Sequence, residues 1–274
     1  EEIYGIALDI GSTTISAHLV NLHTGVTIAS AGEMNPQIRF GEDLMSRVSY
    51  AMMNSSGTED LKSVVQESLN EMCKQMISKS NICAKQIVEI TLVCNPVMHH
   101  LLLGINPTEL GQAPFALATS DSLYLYSSEL GLTSLENSKV YILPCIAGHV
   151  GADAAAVVLS ETPNESSENV LIIDVGTNAE LILGNDKKVL ACSSPTGPAF
   201  EGAQISAGQR AAPGAIEKVR IDPISKEPIF KVIGCENWSN EPEFLEYLQV
   251  QRVSGICGSG IIEVIAEMYL AGII

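Results

Sequence analysis

Apolar and polar positions alternate with a period of two over residues 1–31, then change to a helical period. Ile3 to Leu8 and Ile15 to Leu22 are apolar runs rich in β-branched residues, separated by Asp9-Ile10-Gly11-Ser12-Thr13-Thr14. The second run ends at His23-Thr24-Gly25 and a further turn falls near Gly32. This spacing predicts a meander of three strands. Over residues 58–79, Leu61, Val64, Val65, Leu69, Met72 and Met76 recur at helical spacing with charges between them, which predicts an amphipathic helix. Its two methionines and Cys73 belong to core packing. Residues 88–93 and 140–143, rich in Val, Ile and Leu and ending at Asn95-Pro96 and Pro144, read as buried strands. Meander, helix, strand, helix, strand is an α/β lobe.

A second lobe begins with the same punctuation. Val170-Leu171-Ile172-Ile173 runs into Asp174-Val175-Gly176-Thr177-Asn178, and Ala179 to Leu183 returns to a turn at Gly184-Asn185-Asp186-Lys187. Strand, Asp, glycine turn and returning strand thus occur twice. Glycine lets backbone amides approach a phosphate, adjacent hydroxyls add donors, and the strand-end Asp can hold a metal ion or its water shell. Two such hairpins suggest two similar lobes clamping one polyphosphate. The alternative for each Asp is a turn cap bonded to nearby amides.

Between the hairpins, Gly148-His149-Val150-Gly151-Ala152-Asp153 leads into small residues over 154–159, a helix suited to close packing and to shear between lobes. Residues 160–169, rich in Ser, Glu, Asn and Pro, read as a linker. We therefore expect lobes at 1–160, including the connecting helix, and 169–274. A Pro/Gly segment covers 193–214, and Gly258-Ser259-Gly260 opens a final helix over 261–270. Those glycines could present amides to a phosphate or ribose, or serve only as a flexible N-cap. Asp153, a carboxylate in an otherwise apolar small-residue helix, would need a partner if buried, or simply gains from the helix dipole. His99-His100 reads as packing, because adjacent helical residues point apart. Glu201 and Arg210 read equally as loop residues or as groups facing a substrate or partner.

Composition narrows the class. The formal charge is −17, with 15 Lys and Arg against 32 Asp and Glu and no basic run, which argues against nucleic acid. Seven scattered cysteines (Cys73, Cys83, Cys94, Cys145, Cys192, Cys235, Cys257) lack C-x-x-C spacing and suit reduced thiols in the cytoplasm. No apolar stretch approaches the roughly 18 residues that read as a membrane span. Glu1-Glu2 does not open a signal peptide, and the missing initiator Met reads as a chain cut from something longer or as processing.

The two Asp-apolar-Gly-hydroxyl hairpins and Gly151-Ala152-Asp153-Ala154 resemble the phosphate motifs and connecting helix of the acetate and sugar kinase, heat-shock chaperone and actin superfamily. More narrowly, several stretches resemble the ATPase domain of reductive activators of corrinoid proteins. These are Asn95 to Gly104, Ala113-Pro114-Phe115, Gly148 to Asp153, Asp174 to Glu180, Ser194 to Ala203 and Gly255 to Gly260.

The resemblance implies two ribonuclease-H-like, actin-like lobes, the second incomplete because the later adenosine-gripping element is missing. It implies ATP and magnesium as ligands, with Asp9, Asp153 and Asp174 as catalytic and metal-holding residues. Gly11, Ser12, Thr13, Gly151, Gly176, Thr177, Asn178, Gly258, Ser259 and Gly260 would contact the nucleotide. The implied partner is a corrinoid protein, returned from cobalt(II) to cobalt(I), with the electron supplied by an iron-sulfur domain absent from this chain. For such a one-electron step, each ~59 mV of unfavourable potential corresponds to about 1.4 kcal/mol that ATP must supply. Homodimerisation stays open. Two alternatives remain: a small-molecule kinase of the same superfamily, and a partner-docking platform that does not use nucleotide. An activator of a radical-forming dehydratase is disfavoured, since no convincing cysteine pair for its cluster is visible.

Overall fold

The computed structural model describes residues 2–135, 137–176, 178–196 and 205–274. It contains twelve strands and six α-helices among them. In chain order these are β1 (Tyr4–Ile10), β2 (Thr14–Asn21), β3 (Thr27–Met34), α1 (Leu44–Met53), α2 (Gly57–Ser80), β4 (Ile87–Cys94) and α3 (Pro96–Leu103). Then come β5 (Leu123–Tyr126), β6 (Lys139–Ile142), α4 (Ala152–Glu161), β7 (Val170–Val175), β8 (Asn178–Gly184) and β9 (Val189–Pro195). The chain closes with β10 (Ala215–Ile221), β11 (Pro228–Val232), α5 (Pro242–Val250), β12 (Gly255–Ile256) and α6 (Gly258–Leu270). The chain packs as two compact units, one of residues Glu1–Asp174 with Glu180–Ser193 and the other of Val175–Ala179 with Ser194–Ile274.

The first unit is built on a mixed sheet of order β3-β2-β1-β4-β6-β5. The meander β1–β3 is antiparallel, β1, β4 and β6 are parallel, and β5 is an antiparallel edge strand. Alternation in β1 puts Ile6, Leu8 and Ile10 on the buried face and Ala7 and Asp9 on the accessible one. The buried face meets Leu61, Val65, Leu69, Met72 and Met76, the apolar stripe of α2. That helix runs one residue further at each end than the periodicity predicts and stops where Asn81 turns left-handed at φ 54°. The register Asp9↔Val93 brings the ends of β1 and β4 level, so both parallel strands deliver their carboxyl ends to one place.

Several elements were not expected from the pattern. Helix α1 starts where the Asp43 carboxylate accepts from the Ser46 amide at 2.7 Å. The edge strand β5 and, in the second unit, the β10–β11 hairpin and α5 also lie outside the predicted set. A three-stranded sheet of order β7-β8-β9 carries the second Asp-Gly hairpin.

The second unit has a sheet of order β11-β10-β12 against which α6 packs. Strand β12 reaches only Ala215 and Ile216 of β10. Further along, Glu263 of α6 accepts from the Val219 amide at 2.7 Å and Glu267 from the Ile221 amide at 3.0 Å. Those bonds satisfy strand donors that β12 leaves uncovered. Helix α6 begins at Gly258 rather than Ile261. A Cβ on Gly260 would lie 2.4 Å from the Ile216 carbonyl oxygen, so glycine here permits the close approach of helix to strand.

Candidate functional site

Three carboxylates from distant parts of the chain line one cavity of about 270 Å³ in the first unit: Asp9, Asp153 and Asp174, with Val93, Ala156, Val157, Ser160 and Glu161. Each arrives for a local reason. Asp9 is the next-to-last residue of β1, on the face away from the core. Asp174 is the next-to-last residue of β7, just before its glycine turn. Asp153 sits in the first turn of α4, where its Oδ1 accepts from the Ala154 amide at 2.8 Å. Helix α4 begins hard against β4, because a Cβ at its cap, Gly151, would stand 2.6 Å from the Cys94 carbonyl oxygen.

Crowding of like charge shapes the electrostatics. Withdrawal from water, then the charges of Asp153 and Asp174, raises the Asp9 pKa from 3.8 to about 6. Asp153 is also raised, chiefly by burial, with the Ala154 bond opposing and Asp174 adding to it. A fourth acid joins them. Glu180, on β8, is raised by burial and by Asp153 and Asp174, while a 3.0 Å bond from the Ser193 hydroxyl opposes the shift.

Such a set of hard oxygen donors, with Asp9, Asp153 and Glu180 disfavoured as anions, suits a cation that would relieve the repulsion. Among the described residues no group of three or more His, Cys, Asp and Glu side chains is arranged to hold a metal ion directly.

The two glycine turns are alike but not equal. Gly11 N donates to Thr14 O at 2.9 Å, closing a turn of Gly11, Ser12 and Thr13 before β2. Gly176 N donates to Asn178 O at 2.8 Å, one residue sooner, and the Thr196 hydroxyl donates to Gly176 O at 2.7 Å. Gly176 and Asn178 belong to the second unit, as do Gly258, Ser259 and Gly260. Ser259 Oγ lies 3.1 Å from Cys257 Sγ, and the Cys257 amide donates to Ile216 O at 3.0 Å, so this stretch is tied to β10. Thr177 and Glu201 lie outside the described residues.

Two other stretches named above meet in the first unit. The Phe115 ring lies 4.3 Å from the His149 ring, and Gly148 passes so close under the Phe115 carbonyl that a Cβ would overlap it. His99 and His100 are both buried in the core.

A mixed sheet opening with an antiparallel meander, with Asp9 near the end of its first strand, Asp174 near the end of β7 and a glycine turn after each, defines an α/β fold of the actin-like ATPase and sugar kinase class. Residues 4–165 match the family described as the RACo middle region, and residues 168–274 the one described as the C-terminal domain of RACo, the ASKHA domain. The chain belongs to the RACo family.

It is 35% identical over 274 residues to the corrinoid activation enzyme RamQ of Eubacterium limosum, covering 99% of this chain and 43% of that one. It is 29% identical over 227 residues to the Co(II) methylated amine-specific corrinoid protein reductase of Methanosarcina barkeri, covering 80% and 41%. The solved structure of a reductive activator for a corrinoid, iron-sulfur protein matches with a TM-score of 0.82 at 34% identity, over 99% of this chain and 41% of that one. The chain thus spans about two-fifths of the length of these relatives. No helix among the described residues is long and apolar enough to cross a membrane.

Sequence reasoning missed Glu180, whose signal was an acid inside the apolar run Ala179 to Leu183. It also missed Asn35 and Arg47, buried behind the first turn, whose role no local pattern announces.

Proposed function

We propose that this chain is the ATP-binding and hydrolysing part of a reductive activator that returns corrinoid proteins from cobalt(II) to cobalt(I). The observation that carries the reading is the convergence of Asp9, Asp153 and Asp174 on one cavity at the carboxyl end of β1. The named activities of the relatives supply the substrate class, a corrinoid protein. On this reading the lobes are 1–160 and 169–274, and the electron comes from an iron-sulfur domain outside the chain.

Asp9, Asp153 and Asp174 would hold the magnesium ion through its water shell. Gly11, Ser12, Thr13 and Gly151 in one unit, and Gly176, Thr177, Asn178, Gly258, Ser259 and Gly260 in the other, are proposed as nucleotide-facing. Bound ATP supplies the free energy of an unfavourable electron transfer. Asp9 and Asp153, with raised pKa values, are the groups able to take a proton from an attacking water. Hydrolysis can drive reduction only if the nucleotide states differ in their affinity for the corrinoid partner. The protein would work in the cytoplasm.

The test is ATP hydrolysis measured with a cobalt(II) corrinoid protein and, separately, with a panel of sugars and carboxylic acids. The proposal expects turnover to rise with the corrinoid protein and to ignore the panel. A phosphorylated metabolite would identify a kinase instead. Tight corrinoid-protein binding without any nucleotide binding would identify a docking platform.

A further inference from the structure

The first glycine turn is held from behind by a buried polar network that nucleotide contact alone does not require. Three consecutive carbonyls of the turn are bonded to it. Asn35 Nδ2 donates to Gly11 O at 2.8 Å, Arg47 Nη2 to Ser12 O at 2.5 Å, and the Asn35 amide to Thr13 O at 2.8 Å. Asn35 is 1% accessible and Arg47 not at all, so these oxygens point into the protein.

The two donors are themselves immobilised. Arg47 Nε donates to Gly41 O at 3.0 Å and Nη1 to Gln37 Oε1 at 3.2 Å. Asn35 Oδ1 accepts from the Gln37 amide at 2.9 Å, and Gln37 Nε2 donates to Leu61 O on α2 at 2.9 Å. Asn35 Nδ2 and Arg47 Nη1 each approach Met98 Sδ of α3 at 3.6 Å. The turn is thereby fastened to three helices of its own unit.

In a planar trans peptide, a carbonyl and the amide that follows it point in opposite directions. Drawing the Gly11 and Ser12 carbonyls inward therefore sets the planes of the Gly11–Ser12 and Ser12–Thr13 peptides. It also removes the partial negative charges that would repel a phosphate at a turn beside three carboxylates. A guanidinium in a fixed fork does this better than a flexible ammonium. We propose that Arg47 and Asn35 are positioning residues of the first phosphate turn, holding its carbonyls in the interior so that the turn meets a polyphosphate with its amide side. The inference rests on the reading of this turn as phosphate-binding.

Arg47→Lys keeps the charge and loses the fork, and Arg47→Gln loses both. Binding is titrated with Mg-ATP and with Mg-tripolyphosphate, a probe lacking adenosine. Hydrogen exchange is followed in parallel over residues 10–15 and, for comparison, over β4. The expected result for Arg47→Lys is cooperative unfolding, affinity for both probes lowered tenfold or more by the same factor, and faster exchange confined to residues 10–15. Arg47→Gln is expected to exceed it.

Equal affinity in parent and Arg47→Lys, or exchange that quickens as much in β4 as in the turn, would overturn the proposal and leave Arg47 a core residue. If the parent itself bound neither probe, the phosphate reading would fall and the proposal with it. The parent titration alone distinguishes that case.

Discussion

A Cβ placed on Gly151 would stand 2.6 Å from the carbonyl oxygen of Cys94. The start of α4 is pressed onto the end of β4 by that contact, and Asp153 is brought beside Asp9 as a consequence. The same Cβ would meet Asp153 Oδ1 at 2.6 Å and Asn95 Cα at 2.7 Å, backbone or short side chain that cannot swing away. Gly151→Ala should therefore cost about 1–3 kcal/mol, as overpacking does, and weaken Mg-ATP binding by moving Asp153. Gly25→Ala is the control. Its φ of +72° costs a side chain about 1–2 kcal/mol of strain with nothing among the described residues within 4 Å, so urea unfolding should register it while nucleotide binding does not.

Asp9 gives the protein a pH signature. Folding raises its pKa from 3.8 to about 6, so between those values the folded state holds more protons than the unfolded one. Its contribution to stability falls as pH climbs from about 4 to about 6. Asp9→Asn should flatten that slope in urea midpoints and exceed the parent in stability above pH 6. A cation favours the ionised carboxylate, so Mg-nucleotide affinity should rise with pH through about 6.

His99 works in the opposite sense. Neither ring nitrogen finds a hydrogen-bond partner among the described residues, and burial, then His100, lowers its pKa from 6.5 to about 4. The folded state then holds fewer protons than the unfolded one between about 4 and 6.5, and stability is lost as pH falls through that window. His99→Leu should flatten this loss and raise stability at pH 7 by about 1 kcal/mol, since it removes unsatisfied polar atoms. His100→Leu should lower it by a similar amount. That ring pairs with Pro96 O at 2.9 Å and accepts from the Ala118 amide at 3.0 Å.

Thiol reactivity should follow burial. Cys83 and Cys192 are exposed, while Cys73, Cys94, Cys145 and Cys257 are buried. Burial lifts Cys73 to about 12 and Cys145 to about 11, leaving almost no thiolate at pH 8. Alkylation of the folded protein followed by peptide mass mapping should label Cys83 and Cys192 first and spare the buried four.

What could be read in advance was whatever a local period or punctuation encodes. The 2-to-3.6 switch marked β1, β2 and α2, the Pro stops marked β4 and β6, and the repeated Asp-apolar-Gly pair placed Asp9 and Asp174. The alternation of Ile216, Val219 and Ile221 was interrupted by charged residues and overlooked, although Asp222, which accepts from the Ile224 and Ser225 amides, marks the hairpin turn. Arg47 was illegible for a different reason. Its bond to Ser12 spans 35 positions and ends on a backbone oxygen, which leaves no trace in residue identity. Glu180 gained meaning only once folding set it beside Asp153 and Asp174.

On the proposed function, Asp9 and Asp174 together serve a metal-bound polyphosphate. Calorimetric titration of this chain with Mg-ATP, beside an Asp9→Asn plus Asp174→Asn double variant and beside a metal-chelated sample, tests it most directly. The account predicts binding in the parent that is lost, or weakened at least tenfold, both in the variant and on chelation. Binding that is equally tight in the variant, or that survives removal of the metal, would contradict it.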